Sequence, residues 1–146
     1  MRFIAVVPAT APTGLKPAGR EKSKGVITAI IVKDVSDPRC KDEEDVKPFQ
    51  AFVAKYLTPA DATSNAAAYA YQLAALLVLL LPSCGDDLSH ENILAKATHI
   101  EGLTLPLALP GVAAHNSPQD YRLFHQFQLE HFDGESWKLF GDLIGN

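Results

Sequence analysis

The side chains able to do chemistry in this chain are five histidines, two cysteines and two runs of adjacent carboxylates, Glu43-Glu44-Asp45 and Asp86-Asp87. A protein metal site needs three or four ligands converging on one ion. His125 and His131 fall on one face of an alternating stretch, yet six residues separate them and no third ligand stands near in sequence. Each carboxylate run sits at a helix boundary, where capping and solvation account for it. Gly-x-Ser-x-Gly, the phosphate-cradling glycine loop with Lys and Ser or Thr, and His-Glu-x-x-His are all missing. Cys40 and Cys84 are too few for a disulfide framework or a zinc knuckle; two free thiols is the preferred reading, with a single bridge left open. The expectation is therefore a protein that is not an enzyme, with no catalytic residue, no metal and no cofactor.

The totals narrow the class. At 146 residues, 47% hydrophobic and 21% charged, the chain has the composition of one soluble globular domain or a piece of a larger one. A net charge of −4 gives no reason to expect nucleic acid. Arg20, Lys22 and Lys24, interrupted by Glu21, read as a solvated loop. The start, MRFIAVVPATA, imitates a signal peptide, but Phe3–Val7 is too short for its apolar region. As written, then, the chain carries no convincing export signal and would stay in the cytoplasm.

The element that must position everything else is Asn65–Leu81, an almost unbroken apolar run with Thr63, Ser64 and Asn65 available as caps and Pro82 to stop it. A helix apolar on nearly every side is covered on nearly every side, by protein or by lipid. Gln72, a length short of about 20 residues, and the lack of flanking Lys or Arg favour a buried core helix over a membrane segment. Phe3–Val7 and Gly25–Val32 are continuous apolar runs, the pattern of strands shielded on both faces in a mostly parallel sheet. Lys33–Asp45 is a charged surface connection. Val46, Phe49, Val53 and Tyr56 recur at helical spacing, and Ser89 caps a third helix continued by Ile93, Ala97 and Ile100. Gly102–Ser117 reads as extended or looped. Leu123, His125, Phe127, Leu129 and His131 alternate as a half-buried strand, and Asp133-Gly134 turns it into a hairpin with Trp137 and Leu139.

Seven short blocks then resemble a known family: LKPAG at Leu15–Gly19, KGVITA at Lys24–Ala29, Tyr69-Ala70-Tyr71, CGDDLSHEN at Cys84–Asn92, LPG at Leu109–Gly111, NSP at Asn116–Pro118 and FDGESWKLFGDLI at Phe132–Ile144. In this order they look like the C-terminal part of the branched-chain amino-acid (leucine-binding) type of ABC-transporter solute-binding protein. The resemblance implies a partial type I periplasmic binding protein fold, α/β with a mostly parallel sheet, three main helices and a C-terminal β-hairpin. Within a single truncated segment, residues 1–32 would supply second-lobe strands and a crossing, 43–100 first-lobe helices, and 105–144 the return segment and hairpin.

It further implies a non-catalytic, periplasmic ligand-binding component that delivers an amino acid or an aromatic or organic acid to an ABC permease. The ligand-binding residues carried over are Ala9 and Thr10 after the first strand and Asn65, Tyr69 and Tyr71 at the start of the apolar helix. Ordinary packing is the competing reading for the two tyrosines. Arg20, Cys40, Pro82 and the leucine-rich helix depart from the family pattern, and with the first lobe's gripping loops missing, binding would be impaired. Three helices also outnumber the strands they should cover, so the apolar helix should keep a bare face. That leaves two alternatives: an interaction protein, either a homo-oligomer through that face or one docking onto a chain that supplies the missing lobe, or a small membrane-anchored protein.

Overall fold

The apolar run forms its helix where its cap stands. Ser64 Oγ accepts a hydrogen bond from the Ala67 N–H at 3.2 Å, the helix spans Asn65–Leu80, and Pro82 tightens the next turn into a 3-10 segment, Leu81–Cys84. The structure, a computed structural model, describes residues 15, 17, 19–37 and 39–145. The expected strand Phe3–Val7, with Ala9 and Thr10, lies outside the described residues. Along the chain come α1 (Arg20–Ser23), β1 (Ile27–Ile30), α2 (Val46–Tyr56), α3 (Asn65–Leu80), α4 (His90–Ala97), β2 (Phe127–Phe132) and β3 (Trp137–Ile144). The basic stretch expected as a loop includes α1, whose Ser23 is buried and donates its hydroxyl to Gly19 O at 3.0 Å.

The class is α/β, as expected, but the sheet is not the mostly parallel one. Its three described strands run in the order β1-β2-β3, each antiparallel to its neighbour, with Ile27 opposite His131 and Phe132 opposite Trp137. A continuous apolar run reports shielding on two faces and says nothing of strand direction, so the composition of β1 misled. The hairpin turn is as expected: Asp133 Oδ1 accepts from the N–H groups of Glu135 and Ser136, both at 2.8 Å, while Gly134 takes φ 107°. Gly141, at φ 69°, lies beside the register shift between β2 and β3, and the Gln128 amide donates to its carbonyl at 2.8 Å.

The most buried face of β2 also differs from the expected one. Glu130 and Phe132 are buried, while Phe127, Leu129 and His131 are only half-buried, and Leu123 and His125 precede the strand. The sheet's better-covered side is set by what packs on it, and the alternating apolar set ended up on the other.

The main core joins Val32, Val35, Val46, Phe49, Val53, Ala68 and Leu107, so α2 buries the stripe its sequence announces, with Tyr56 left exposed. Leu107 sits at φ 63°, a conformation that costs a branched side chain energy and persists only where its surroundings hold it. Here Leu107 N–H donates to Asp45 Oδ2 at 3.2 Å and Leu107 O accepts from Lys33 N–H at 2.8 Å. Lys33 Nζ in turn bonds both Asp45 oxygens at 2.9 Å and reaches Glu43. The acidic run before α2 thus ties a buried turn to the charged connection, a structural duty. At α4, Ser89 Oγ accepts from the Asn92 N–H at 3.3 Å and Asp87 Oδ1 from the Ser89 N–H at 3.0 Å, which gives one of the Asp86-Asp87 carboxylates a capping role.

α3 corrects the buried-core expectation. Only Ala68 and Gln72 are fully buried on it, with Ala67 and Tyr71 packed against the main core and Leu76 against Ile100, Leu105 and Ala114. One stripe is covered and the remainder is bare.

Candidate functional site

The largest unexplained feature of the molecule is the outer side of α3. On it Tyr69, Leu73 and Leu77 are exposed by 43%, 39% and 49%, and near the helix end Val78 and Leu79, further round the helix, are exposed by 69% and 52%. No charged residue occurs between Asp61 and Asp86. Together α3 and the following 3-10 turn form a stretch of 20 residues, Asn65–Cys84, long and apolar enough to cross a membrane, with 17% of its apolar window buried. At 1.5 Å per residue that is about 30 Å, the thickness of a bilayer's hydrocarbon core. Gln72, which argued against lipid in the sequence, faces inward: its amide donates to Pro106 O at 3.1 Å, and its Oε1 is buried without a partner among the described residues. The outward side therefore carries no polar group beyond the Tyr69 hydroxyl.

The carried-over ligand residues stand as follows. Asn65 opens α3, with its Oδ1 buried and unpaired among the described residues. Tyr71 packs edge-on against Phe49, ring centroids 5.4 Å apart, and against Phe52 at 5.3 Å. Tyr69 points to the exposed side.

The other chemistry-bearing side chains do not assemble as their spacing suggested. His131 packs on Phe140, with ring centroids 5.5 Å apart, whereas His125 lies near His115 at 5.9 Å. Among the described residues no group of three or more His, Cys, Asp or Glu side chains could hold a metal ion. Cys40 and Cys84 are free thiols. Burial, then the nearby Glu43 and Asp37 carboxylates, push the Cys40 thiol up to about 11, so it is a poor nucleophile at neutral pH.

Sequence reasoning missed Glu130. It is buried on β2 opposite Thr28, and burial, helped by the negative charge of Asp34, pushes its carboxyl up to about 8. The signal was an acidic residue inside an apolar strand, but the assumed face placed it toward solvent. A cavity of about 440 Å³ opens beside it, lined also by Ile30, Lys33, Asp34, Leu109 and Trp137.

The described residues thus form an α/β unit, a three-stranded antiparallel sheet with helices, in which one apolar helix is left half bare. No protein-family model matches the chain, and no curated protein does. A solved protein described as an ABC transporter permease from the Pseudomonas fluorescens group shares the fold, with a TM-score of 0.64 at 16% identity over 97% of this chain. The match takes in 36% of that protein, so the chain spans about a third of its length. This corrects the resemblance to leucine-binding-type solute-binding proteins, and with it the reading as the ligand-binding component of an importer: the protein sharing the fold is described as a permease, not as a binding protein. Short blocks such as LPG and NSP are turn-forming combinations that unrelated chains also need, which is why they misled.

Proposed function

We propose that the chain is a non-catalytic, membrane-attached protein of the ABC-transporter class, held to the bilayer by the bare side of α3. The observation that carries this reading is the charge-free row Tyr69, Leu73 and Leu77, flanked by Val78, on a helix whose fully buried polar side chain, Gln72, is turned to the core. The fold shared with a protein described as an ABC transporter permease supports the class.

The attachment is in the plane of the interface. For α3 to span, it would have to leave the domain, breaking the Gln72–Pro106 hydrogen bond and uncovering Phe49 and the rest of the main core. Lying flat, it keeps those contacts and sinks only its outer side among the lipid chains. With a net charge of −4, the attraction is apolar and not electrostatic.

The test is flotation of the purified chain with neutral phosphatidylcholine vesicles. Co-flotation that survives high salt supports the reading, and a chain left at the bottom of the gradient overturns it. A second reading rests on the length of the matched protein, nearly two thirds of which lies outside the match: a further polypeptide, or a second copy, would cover the same face. Light scattering on a column without lipid separates the two, since a compact monomer removes the second reading.

A further inference from the structure

The cavity beside Glu130 lies away from α3 and carries its own chemistry. Its cationic side chains are all engaged: Lys33 with Glu43 and Asp45, Arg39 with Asp37, and Lys138 with Asp133. Two carboxylates remain without a cation among the described residues. Asp34 accepts only neutral donors, the Ser36 N–H at 2.9 Å and the Ser36 hydroxyl at 2.6 Å. Glu130 is 3% exposed, with the negative charge of Asp34 near enough to act on it. An ionised carboxylate so placed is costly unless a counter-charge arrives. Beside these charged groups, Ile30, Leu109 and Trp137 give the same cavity an apolar and aromatic stretch of wall.

We propose that this cavity binds an organic cation, an amine or quaternary ammonium with an apolar body, whose charged head lies between Glu130 and Asp34 and whose body packs against Trp137 and Leu109. Such a ligand supplies what the site lacks. A cation between the two carboxylates cancels their mutual repulsion, and the indole adds the attraction of an aromatic face. A cavity of about 440 Å³ is within the range of small-molecule sites. The carboxyl held up by burial must lose its proton to receive the cation, so affinity rises with pH through the range where Glu130 ionises. The other charged groups facing the cavity are Lys33, Asp34, Asp37, Arg39, Glu43 and Lys138, types whose ordinary titration lies outside the neutral range, and the Cys40 thiol is neutral there.

The chain has one tryptophan, Trp137, so its fluorescence reports on this wall and on a neighbouring cavity that the indole also lines, and Glu130, which lines only the first, separates the two. The experiment titrates the full chain with benzyltrimethylammonium chloride, whose charge does not vary with pH, against benzyl alcohol as the uncharged control. Expected is a saturable fluorescence change for the cation only, with affinity at least about tenfold tighter at about pH 9 than at about pH 6. Glu130→Gln should abolish it. No saturable change at the higher pH, equal affinity at both, an equal response to benzyl alcohol, or undiminished binding by E130Q overturns the proposal. Because the pH comparison uses the unaltered chain, it decides the matter even if E130Q does not fold.

Discussion

Putting two charges on the outer side of α3 is the sharpest perturbation of the proposed attachment. Leu77 and Val78 are 49% and 69% exposed, so covering what remains bare of each is worth about half of the roughly 1.5–3 kcal/mol of a full burial, or about 1 kcal/mol apiece. Leu77→Glu with Val78→Glu removes that contribution and adds the cost of carrying two carboxylates toward hydrocarbon, which is at least as large. The sum is about 4 kcal/mol, near a thousandfold in the partition between vesicle and water. About half of Leu77 and a third of Val78 are covered by the domain itself, so folding should weaken by about 1–2 kcal/mol. The assay pairs vesicle flotation with a urea unfolding curve on the same preparation. Lost flotation with a urea midpoint lowered by no more than that is the expected result. A double variant that floats as well as the original chain would refute the assignment of this face to the membrane, and a chain that no longer unfolds cooperatively would show the two side chains to be part of the domain's own core.

Other outcomes follow from the same packing. Glu130 binds a proton more tightly folded than unfolded, so its protonated form adds stability that is fully present below the unfolded carboxyl range near 4.5 and is lost as pH rises through about 8; the original chain should weaken across that window by several kcal/mol, and E130Q should flatten the loss in urea titrations at stepped pH. Phe49→Ala, at a fully buried position touching Tyr71, should cost about 3–5 kcal/mol by chemical denaturation. Ser64→Ala removes the acceptor of the Ala67 N–H and should cost about 1 kcal/mol, while Ser64→Asp should keep most of it. Gln72→Leu gives up one hydrogen bond but also removes a buried, unpaired oxygen, so its urea midpoint should stay within about 1 kcal/mol of the original.

Wherever a signal is local, the sequence carried it. Ser64 and Ser89 cap the helices they precede because a hydroxyl beside free N–H groups needs no distant partner. Asp133-Gly134 makes the final hairpin for the same reason, and Val46, Phe49 and Val53 announce the inner stripe of α2 by spacing alone. The candidate site was legible only in part. That α3 lacked enough strands to cover it could be counted from the chain, yet which side stayed bare could not. Tyr69 and Tyr71 are two residues apart, and one faces out while the other packs on Phe49.

What only the tertiary structure decided are the features that depend on distant neighbours. Strand direction in β1 follows from pairing with β2 across a stretch of chain holding three helices, and an apolar run has no polarity to reveal it. Glu130 and Leu129 are adjacent in sequence, but the carboxylate took the more buried face, opposite Thr28 and within reach of the Asp34 charge. Gln72, a polar residue in an apolar helix, turned inward because Pro106 offers a carbonyl from far along the chain. Local chemistry therefore determined where elements begin, end and turn. Burial, being set by whatever packs on a residue from elsewhere in the chain, had to wait for the fold.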